Sequence, residues 1–427
     1  MLLLLALLYL FTRRFIYPFS MHFLAKRFFY GHSKNKRDAS TPSIRVATCG
    51  IAIGLAVMLL STSVLLGFKY ELTKKITGFA AHIEVLNLGS LQLPDAYPIN
   101  LPPHVEQKIK TIDNVKHLQK VAQKMGVLKT GTQFQPIHLK GIDEHYDTHY
   151  LQETLVEGRL PKLSADSATN EIVISRRIAN KLNLEVGARI YAYFFEDNIK
   201  MRRMHIVGIY ETNLKQFDEM TVITDRYTVC KLNGWTHQEC SEIELTVDDF
   251  DALETTFPKV QQTLRGYNKI TAISVKEHYP QVFSWLNILN TNVCVVMVLM
   301  LGVAIFTVSS GLLIIMLERT PAIGILKALG ATDTQLRATF MRLAMFITIK
   351  GLLWGNAIAL TFMLLQRYLH LIRLNPDHYY MTEVHVVIDP FIMLLINVVT
   401  MILIFLSLFI PTLVLAKITP IKAIKFD

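Results

Sequence analysis

Four long apolar runs divide the chain, at about Val46–Phe68, Ile288–Leu317, Leu343–Leu365 and Pro390–Ala416. Each reaches the roughly 20 residues that a helix needs to cross a bilayer. Between the first and second lie more than 200 residues of mixed polarity, enough to fold around a core of their own. The other connections are short. Inside the long segment the spacing of apolar residues alternates between helical and strand periods. "AHIEVLNL" reads as a strand leaving the first run, and "PPHVEQKIKTI" sets Val105, Ile109 and Ile112 on one helical face. Strand-like pieces follow around Lys120–Leu128 and Gln135–Leu139, then "NEIVIS", "ARIYAYFF", "RRMHIVGIY" and "EMTVIT", separated by turn-rich stretches. The segment closes as it opened. "EIELTV" alternates, Asp251–Leu264 is helical with Pro258 expected to split or kink it, and "KITAISV" is one more strand.

Charge gives this pattern a direction. The net charge is +10, and its placement matters more than its size. Arg13, Arg14, Lys26, Arg27, Lys34, Lys36, Arg37 and Arg45 precede the first run, opposed by Asp38. Arg319, Lys327, Arg337 and Arg342 lie between the second and third runs, and Lys417, Lys422 and Lys425 follow the fourth. Basic residues stay on the cytoplasmic side, so both termini and the 318–342 loop are expected there, with the long segment outside. Basic clusters can also mark nucleic-acid binding, but these hug the spans and lack interleaved aromatic readers; no nucleic-acid partner is expected. Composition agrees: 51% hydrophobic, 18% charged and a mean hydropathy of +0.33 are too apolar for a soluble enzyme of this length.

The expected fold is therefore membrane α-helical, with four transmembrane helices and a large α+β extracytoplasmic domain of two subdomains inserted between helices 1 and 2. The boundaries read as a cytoplasmic segment 1–45, helix 1 at 46–68, an outer domain 69–285, helix 2 at 288–317, a cytoplasmic loop 318–342, helix 3 at 343–365, an outer loop 366–389, helix 4 at 390–416 and a tail 417–427. Within the outer domain, 69–139 and 241–285 are expected to form one discontinuous βαβ subdomain and 140–240 a β-rich one. Residues 1–20 fit a signal peptide poorly, since no basic region precedes the short apolar run and no small-residue cleavage site follows. They read as preceding a working start at Met21, or as an interfacial helix.

The loop "ERTPAIGILKALGATDTQL" at 318–336 carries its own start and stop signals. Thr320 followed by Pro321 is a capping hydroxyl and the residue best tolerated at the first helical position. Ala322, Ile325, Leu326 and Leu329 share a face, Gly330 supplies a left-handed stop, and Thr332 with Gln335 forms a capping box for the next helix. The product is a helix of about nine residues, too short to be stable alone, whose apolar face needs a cover: headgroups or a groove on a partner.

Catalytic patterns are missing. The chain has no G-x-S-x-G and no G-x-x-x-x-G-K-[ST], so it does not bind ATP through a P-loop of its own. "GIDEHYDTHY" sets His145 and His149 four apart beside Asp143, Glu144 and Asp147, but lacks the order and the further ligands of a metal site, and none is expected. Cys230 and Cys240 fall in the outer domain, where oxidation leaves a bridge open; Cys49 and Cys294 sit in spans as small apolar residues. Lys350 inside span three reads as snorkelling to the near headgroups, and Asn287, Asn290 and Asn292 as interhelical hydrogen-bonding groups.

At the loop the chain becomes recognisable. "LERTPAIGILKALGAT" resembles the coupling-helix motif of the FtsX/MacB-type (type VII) ABC transporter permeases, and the tail "PTLVLAKITPIKAIKFD" is similar to their ending. Within that family the likeness is to the lipoprotein-releasing permeases of the LolC/LolE type. "LAKRFF" at 24–29 resembles their amphipathic elbow helix, and "GIAIGLAVMLLSTSVLLGFKYEL" their first span. "GIDEHYDTHYLQETLVEGRL", "RRMHIVGIYETNLKQFDEMTVIT" and "NPDHYYMTEVHVVIDP" are similar to their outer segments. The likeness covers nearly all of 21–427. One departure is at the coupling helix, where Ala322 stands in place of the acidic residue that often precedes Ile323.

The resemblance implies a non-catalytic subunit of an ATP-driven machine in the bacterial inner membrane that lifts acylated lipoproteins out of the membrane and releases them to a periplasmic carrier. A separate ABC ATPase dimer would bind the ATP and Mg and grip Glu318, Arg319, Ala322, Ile323, Ile325, Leu326, Lys327, Leu329 and Gly330. A second permease chain, identical or paralogous, would complete a lipid cavity. This chain would line it with Leu55, Met58, Leu59, Val64, Leu65 and Phe68 from the first span, and Phe283, Leu286, Leu289, Val293 and Met297 from the second. The carrier would meet Phe194, Phe195, Ile199, Met201 and Arg202, in a stretch shorter than the hairpin hook of one member type and lacking its prolines. Two alternatives share the family: an FtsX-like scaffold that activates a cell-wall hydrolase, and a MacB-like export permease.

Overall fold

A computed structural model of the protein describes residues 40–91, 97–131, 133–164, 166–195 and 198–412. The expected elbow, residues 1–20, Glu196 and Asp197 of the hook stretch, and the tail lie outside them. The chain divides into two compact units: 1–68 with 288–371 and 385–427, and 69–287 with 372–384.

The first unit is built on four apolar helices, Ser40–Phe79, Pro280–Glu318, Asp333–Leu369 and Pro390–Ser407, each long and apolar enough to cross a membrane. Three outrun the apolar stretches that announced them. The first continues past Phe68 because Leu72, Ile76 and Phe79 keep the helical spacing and are buried. At 1.5 Å per residue the first two are about 60 Å long, roughly twice the hydrocarbon thickness. Counted from Glu318, 30 Å of helix is used up near Met297, so Asn287, Asn290 and Asn292 fall beyond the hydrocarbon. The fourth helix stops at Ser407, short of the expected Ala416, and a separate turn of helix covers Phe409–Thr412. Pro411 explains the break: its ring excludes the carbonyl of Ser407, four residues back.

Small residues bring the helices together. A methyl group at Gly351 of the third helix would lie 2.7 Å from Cβ of Ile51 in the first, and one at Gly355 would lie 2.9 Å from the Ala52 carbonyl. Gly50 meets Thr307 of the second helix equally closely, at 2.5 Å. Gly50/Gly54 and Gly351/Gly355 thus act as small-xxx-small pairs, which permit dispersion contact where lipid offers no hydrophobic gain. Asn356 and Asn397 exchange amide hydrogen bonds of 2.7 and 3.0 Å between the third and fourth helices. The most apolar stretch of the first helix is 56% buried and that of the second only 11%, so the second turns its side chains outward.

The second unit is α+β. Its strands run β1 Ile83–Asn87, β2 Val115–Lys129, β3 Phe134–Ile142, β4 Leu155–Gly158, β5 Glu171–Ser175, β6 Arg189–Phe194, β7 Lys200–Tyr210, β8 Thr221–Asp225, β9 Glu242–Val247 and β10 Ile270–Ser274. They form one sheet in the order β10-β1-β9-β2-β3-β8-β5-β7-β4, with β6 between β2 and β7. β1, helix Pro103–Lys110 and β2, then β9, helix Leu253–Thr263 and β10, make two βαβ units interleaved as a split βαβ fold. The expected subdomain boundary at 139/140 falls inside β3. The division runs instead through β2, whose first half pairs with β9 and whose second half pairs with β3 and β6. Fifteen residues in one strand let two lobes share a backbone. Pro258 does not split its helix, because a helix starting at Leu253 loses only the bond to Glu254, in its first turn, while Leu253, Thr256 and Val260 stay buried.

Residues 372–384, from the connection between the third and fourth helices, pack with this unit. Lys75 Nζ donates to the Tyr380 carbonyl at 3.1 Å and to the Thr212 carbonyl at 3.3 Å, and Arg177 pairs with Asp377. Cys230 and Cys240 are free thiols, both buried, and burial pushes the Cys240 thiol up to about 12. In the His145–His149 stretch Asp143 pairs with Arg226, Tyr146 is buried, and His149 opens the helix His149–Thr154.

Candidate functional site

The coupling segment of the first unit follows the second apolar helix after a single residue, Arg319, and forms the helix Thr320–Ala328. Its start differs from expectation. Thr320 is the first helical residue, and its hydroxyl donates back to the Met316 carbonyl at 3.2 Å, so it does not cap. A hydroxyl that close to the previous helix finds the carbonyl four residues back before it finds a free N–H. The stop is as spaced. Gly330 adopts φ +96°, its N–H bonds the Lys327 carbonyl, and the Ala331 N–H bonds the Leu326 carbonyl at 2.9 Å, a Schellman closure. Thr332 and Gln335 then cap the third apolar helix reciprocally, and Lys327 Nζ reaches Asp333 at 2.8 Å. The segment is therefore tied to the helices before and after it.

The faces of this helix are rotated from the expected ones. Ile323 is 1% exposed, and Leu326 packs beside it on the core shared with Leu336 and Phe340. Ile325 is 56% exposed and Leu329 80%, joined by Pro321 and Ala328 on the outward side. Ala322 and Lys327 are half-buried, while Glu318 and Gly330 are exposed. The segment thus displays a short apolar face on a helix whose other face is locked into the bundle. That arrangement can receive a partner's groove and pass displacement to two long helices.

The residues expected to line a lipid cavity separate into classes. Leu55, Met58 and Leu59 are buried in the bundle core of this chain and line no open surface, because Gly50 and Gly351 draw the second and third helices onto that side of the first. Phe68 is also buried. Met297 packs partly against the core, with the Thr62 hydroxyl 3.6 Å from its sulfur. Val64, Leu65, Leu289 and Val293 are half-buried. Phe283 and Leu286 belong to the second unit, where Leu286 is buried and the Phe283 ring stacks on Phe250 at 6.1 Å. The open apolar surface of the second helix is carried by residues the sequence did not single out, among them Val295, Leu299, Val303 and Phe306. Hydropathy alone marks them no more strongly than their buried neighbours.

The hairpin of β6 and β7 is the third expected site. Phe194 is fully buried, its ring filling the space over Gly126, so it is core. Phe195, Ile199 and Met201 are more than half exposed and Arg202 is half-buried. The register adds neighbours: Met201 lies opposite Tyr193, and Phe134, Lys129, Tyr191 and Arg203 form one row across four strands. Phe134 and Tyr191 are exposed. An aromatic on the outward phase of a strand was the available signal for both.

Four apolar helices around a capped connecting helix, with an α+β domain between the first and second, define a polytopic permease with a large extramembrane domain. Two family profiles match it: MacB-like periplasmic core domain over residues 46–263 and FtsX-like permease C-terminal over 294–420. The chain belongs to the FtsX/MacB-type ABC transporter permeases. Lipoprotein-releasing system transmembrane protein LolC of Buchnera aphidicola is 20% identical over 399 residues, 89% of this chain and 92% of its own. Lipoprotein-releasing system transmembrane protein LolE of Haemophilus influenzae is 20% identical over 339 residues, 76% of this chain and 78% of its own. The solved periplasmic region of MacB from Actinobacillus actinomycetemcomitans aligns with 47% of this chain and 92% of that one at 15% identity, with a TM-score of 0.32. Permeases of this kind are the membrane subunits of ABC transporters and are normally non-catalytic.

Proposed function

We propose that the chain is the permease subunit of an ATP-driven transporter that extracts acylated lipoproteins from the inner membrane and releases them to a periplasmic carrier, with both termini and the Thr320–Ala328 helix on the cytoplasmic side. The observation that carries this reading is the outward apolar face of that helix, Ile325 and Leu329, on an element tied at both ends to long helices. Likeness to relatives named for lipoprotein release, over most of both chains, supports the cargo class. A separate ABC ATPase dimer supplies ATP and Mg and grips the face; a second permease chain closes the cavity.

Energy input is needed because three acyl chains of about 15 methylenes, at ~0.8 kcal/mol each, hold a lipoprotein to the bilayer by roughly 35 kcal/mol. A receiving surface must offset most of that. The outward side chains of the second helix, with half-buried Leu289 and Val293 beside them and half-buried Leu65 on the first helix, are the apolar residues available. Phe195, Ile199 and Met201 are the exposed residues for a carrier contact.

Depletion followed by membrane fractionation tests the reading. Lipoproteins retained in the inner membrane are expected. A wall or division defect with normal sorting would point to the FtsX-like scaffold, and drug or peptide sensitivity with normal sorting to the MacB-like exporter. A photoactivated crosslinker at Leu299 should capture lipoprotein; capture of phospholipid alone counts against the cargo.

A further inference from the structure

A buried ionic network lies in the outer domain, away from every residue assigned above. β1, β9 and β2 lie side by side, and their register aligns Glu84 with Glu244 and Glu244 with Gln119; Glu242 is two residues along on the same face. Three carboxylates therefore crowd one face of a sheet, where directly opposed like charges destabilise. All three are buried. Two counter-charges arrive from neighbouring elements. Lys140 of β3 sets Nζ 2.6 Å from Glu244 Oε1, and His278 sets Nδ1 2.6 Å from Glu84 Oε2. Gln123 donates to Glu242 Oε1 at 2.5 Å.

The location gives the network its interest. Lys140 Nζ also donates to the carbonyl of Phe79 at 3.0 Å, and Phe79 is the last residue of the first long helix. His278 ends the short helix Val275–His278, two residues before Pro280 opens the second long helix. One cation thus caps the helix by which the chain enters the domain, and the other ties down the segment by which it leaves. The charge count is uneven. With one proton on Glu242, two ion pairs leave the network neutral. Loss of that proton, or of the one on His278, leaves a buried negative charge with no counter-charge, which is costly at low dielectric.

We infer that this cluster is a proton-operated clasp: protonated, it fastens the exit segment Val275–Pro280 to β1 beside the capped end of the entry helix; deprotonated, the Glu84–His278 link opens and the exit segment is released. The facing groups can be named. They are Glu84 from β1, Glu242 and Glu244 from β9, Gln119 and Gln123 from β2, His138 and Lys140 from β3, Tyr146 from the turn after β3, and Tyr279 stacked on His278. Burial pushes the Glu242 carboxyl well above the usual range, with Glu84 and Glu244 adding to the effect. The hydrogen bond to Glu84 raises His278 above 6.5. Burial holds His138 down at about 4, so it stays neutral throughout. Both groups bind their protons more tightly in the folded domain than in the unfolded chain, so the clasp is complete at low pH and opens as pH rises through their raised folded values. The inference does not depend on the cargo.

Hydrogen–deuterium exchange of the full chain in lipid nanodiscs tests it, with rates corrected for intrinsic base catalysis and a peptide over Glu171–Ser175 as the internal reference. Protection of the peptide spanning 275–283 should fall about tenfold relative to the reference between pH 6 and 9, which corresponds to roughly 1.4 kcal/mol. His278→Gln should give low, pH-independent protection there, and Glu242→Gln should move the loss to higher pH. A flat profile in the wild type, or the wild-type profile in either variant, overturns the clasp. If His278→Gln fails to accumulate, the shift or its absence in Glu242→Gln decides alone.

Discussion

Substituting Leu329 and Ile323 by aspartate, one at a time, separates the two faces of the Thr320–Ala328 helix. Leu329 is 80% exposed, so a carboxylate there stays in water and should change the stability of the chain by no more than about 0.5 kcal/mol. Against a partner the same change is expensive. Burying a leucine side chain contributes about 1.5–3 kcal/mol, and the aspartate must also be desolvated, so ATPase affinity should fall at least tenfold and as much as several hundredfold. Ile323 is 1% exposed, packed with Leu336 and Phe340. Aspartate there buries an unpaired carboxylate and should cost several kcal/mol, lowering the yield of folded permease. Titrating the ATPase onto the permease in nanodiscs, alongside a thermal melt of each variant, reads both quantities. Leu329→Asp with wild-type affinity would refute the docking argument, and Ile323→Asp with a wild-type melt would refute the assignment of faces.

Other expectations follow from the same geometry. Lys140→Met strands Glu244 in a buried site and should cost about 3–5 kcal/mol, a fall in melting temperature of roughly 6–20 °C, while the double variant with Glu244→Leu should recover most of it. Equal loss in the single and double variants would remove the pair from consideration. Gly351→Val brings its side chain into Ile51, already 2.7 Å from any added methyl, and overpacking of about 1–3 kcal/mol should appear as a lower melting temperature in detergent; an unchanged melt would mean that the first and third helices do not approach so closely. His82 is buried, its ring 5.7 Å from Phe250, and burial holds it at about 4. A base depressed in the folded state stabilises above its unfolded value of about 6.5 and loses that stability as pH falls toward 4. His82→Gln should flatten stability against pH in that window, and an unaltered curve would count against His82 as the titrating group.

The elements set by local chemistry were legible in the residues. The apolar runs marked four helices, and Gly330 with the Thr332/Gln335 box fixed where the coupling helix ends and the next begins. The alternation in "EIELTV" and "KITAISV" gave β9 and β10. Signals that depend on a neighbour failed. Thr320 reads as a cap in isolation but bonds Met316, because the preceding helix ends only one residue away. Phe194 and Phe195 are identical side chains, yet the first ends β6 facing the core and the second, just past the strand, lies outside.

Sequence by itself determined which segments leave water and where the coupling helix hands over to the next, since hydropathy, the Thr332 capping hydroxyl and the left-handed Gly330 act within a few residues of the chain. Only the tertiary structure decided which side of a span is interior. Leu55 and Leu299 are equally apolar, yet one is wholly buried and the other 60% exposed; lipid tails and protein cores exert nearly the same pull on a leucine. The same holds for Glu84, Glu242 and Glu244, which nothing in their own strands marks as buried. They became a buried network because Lys140 and His278, distant in the chain, cover that face.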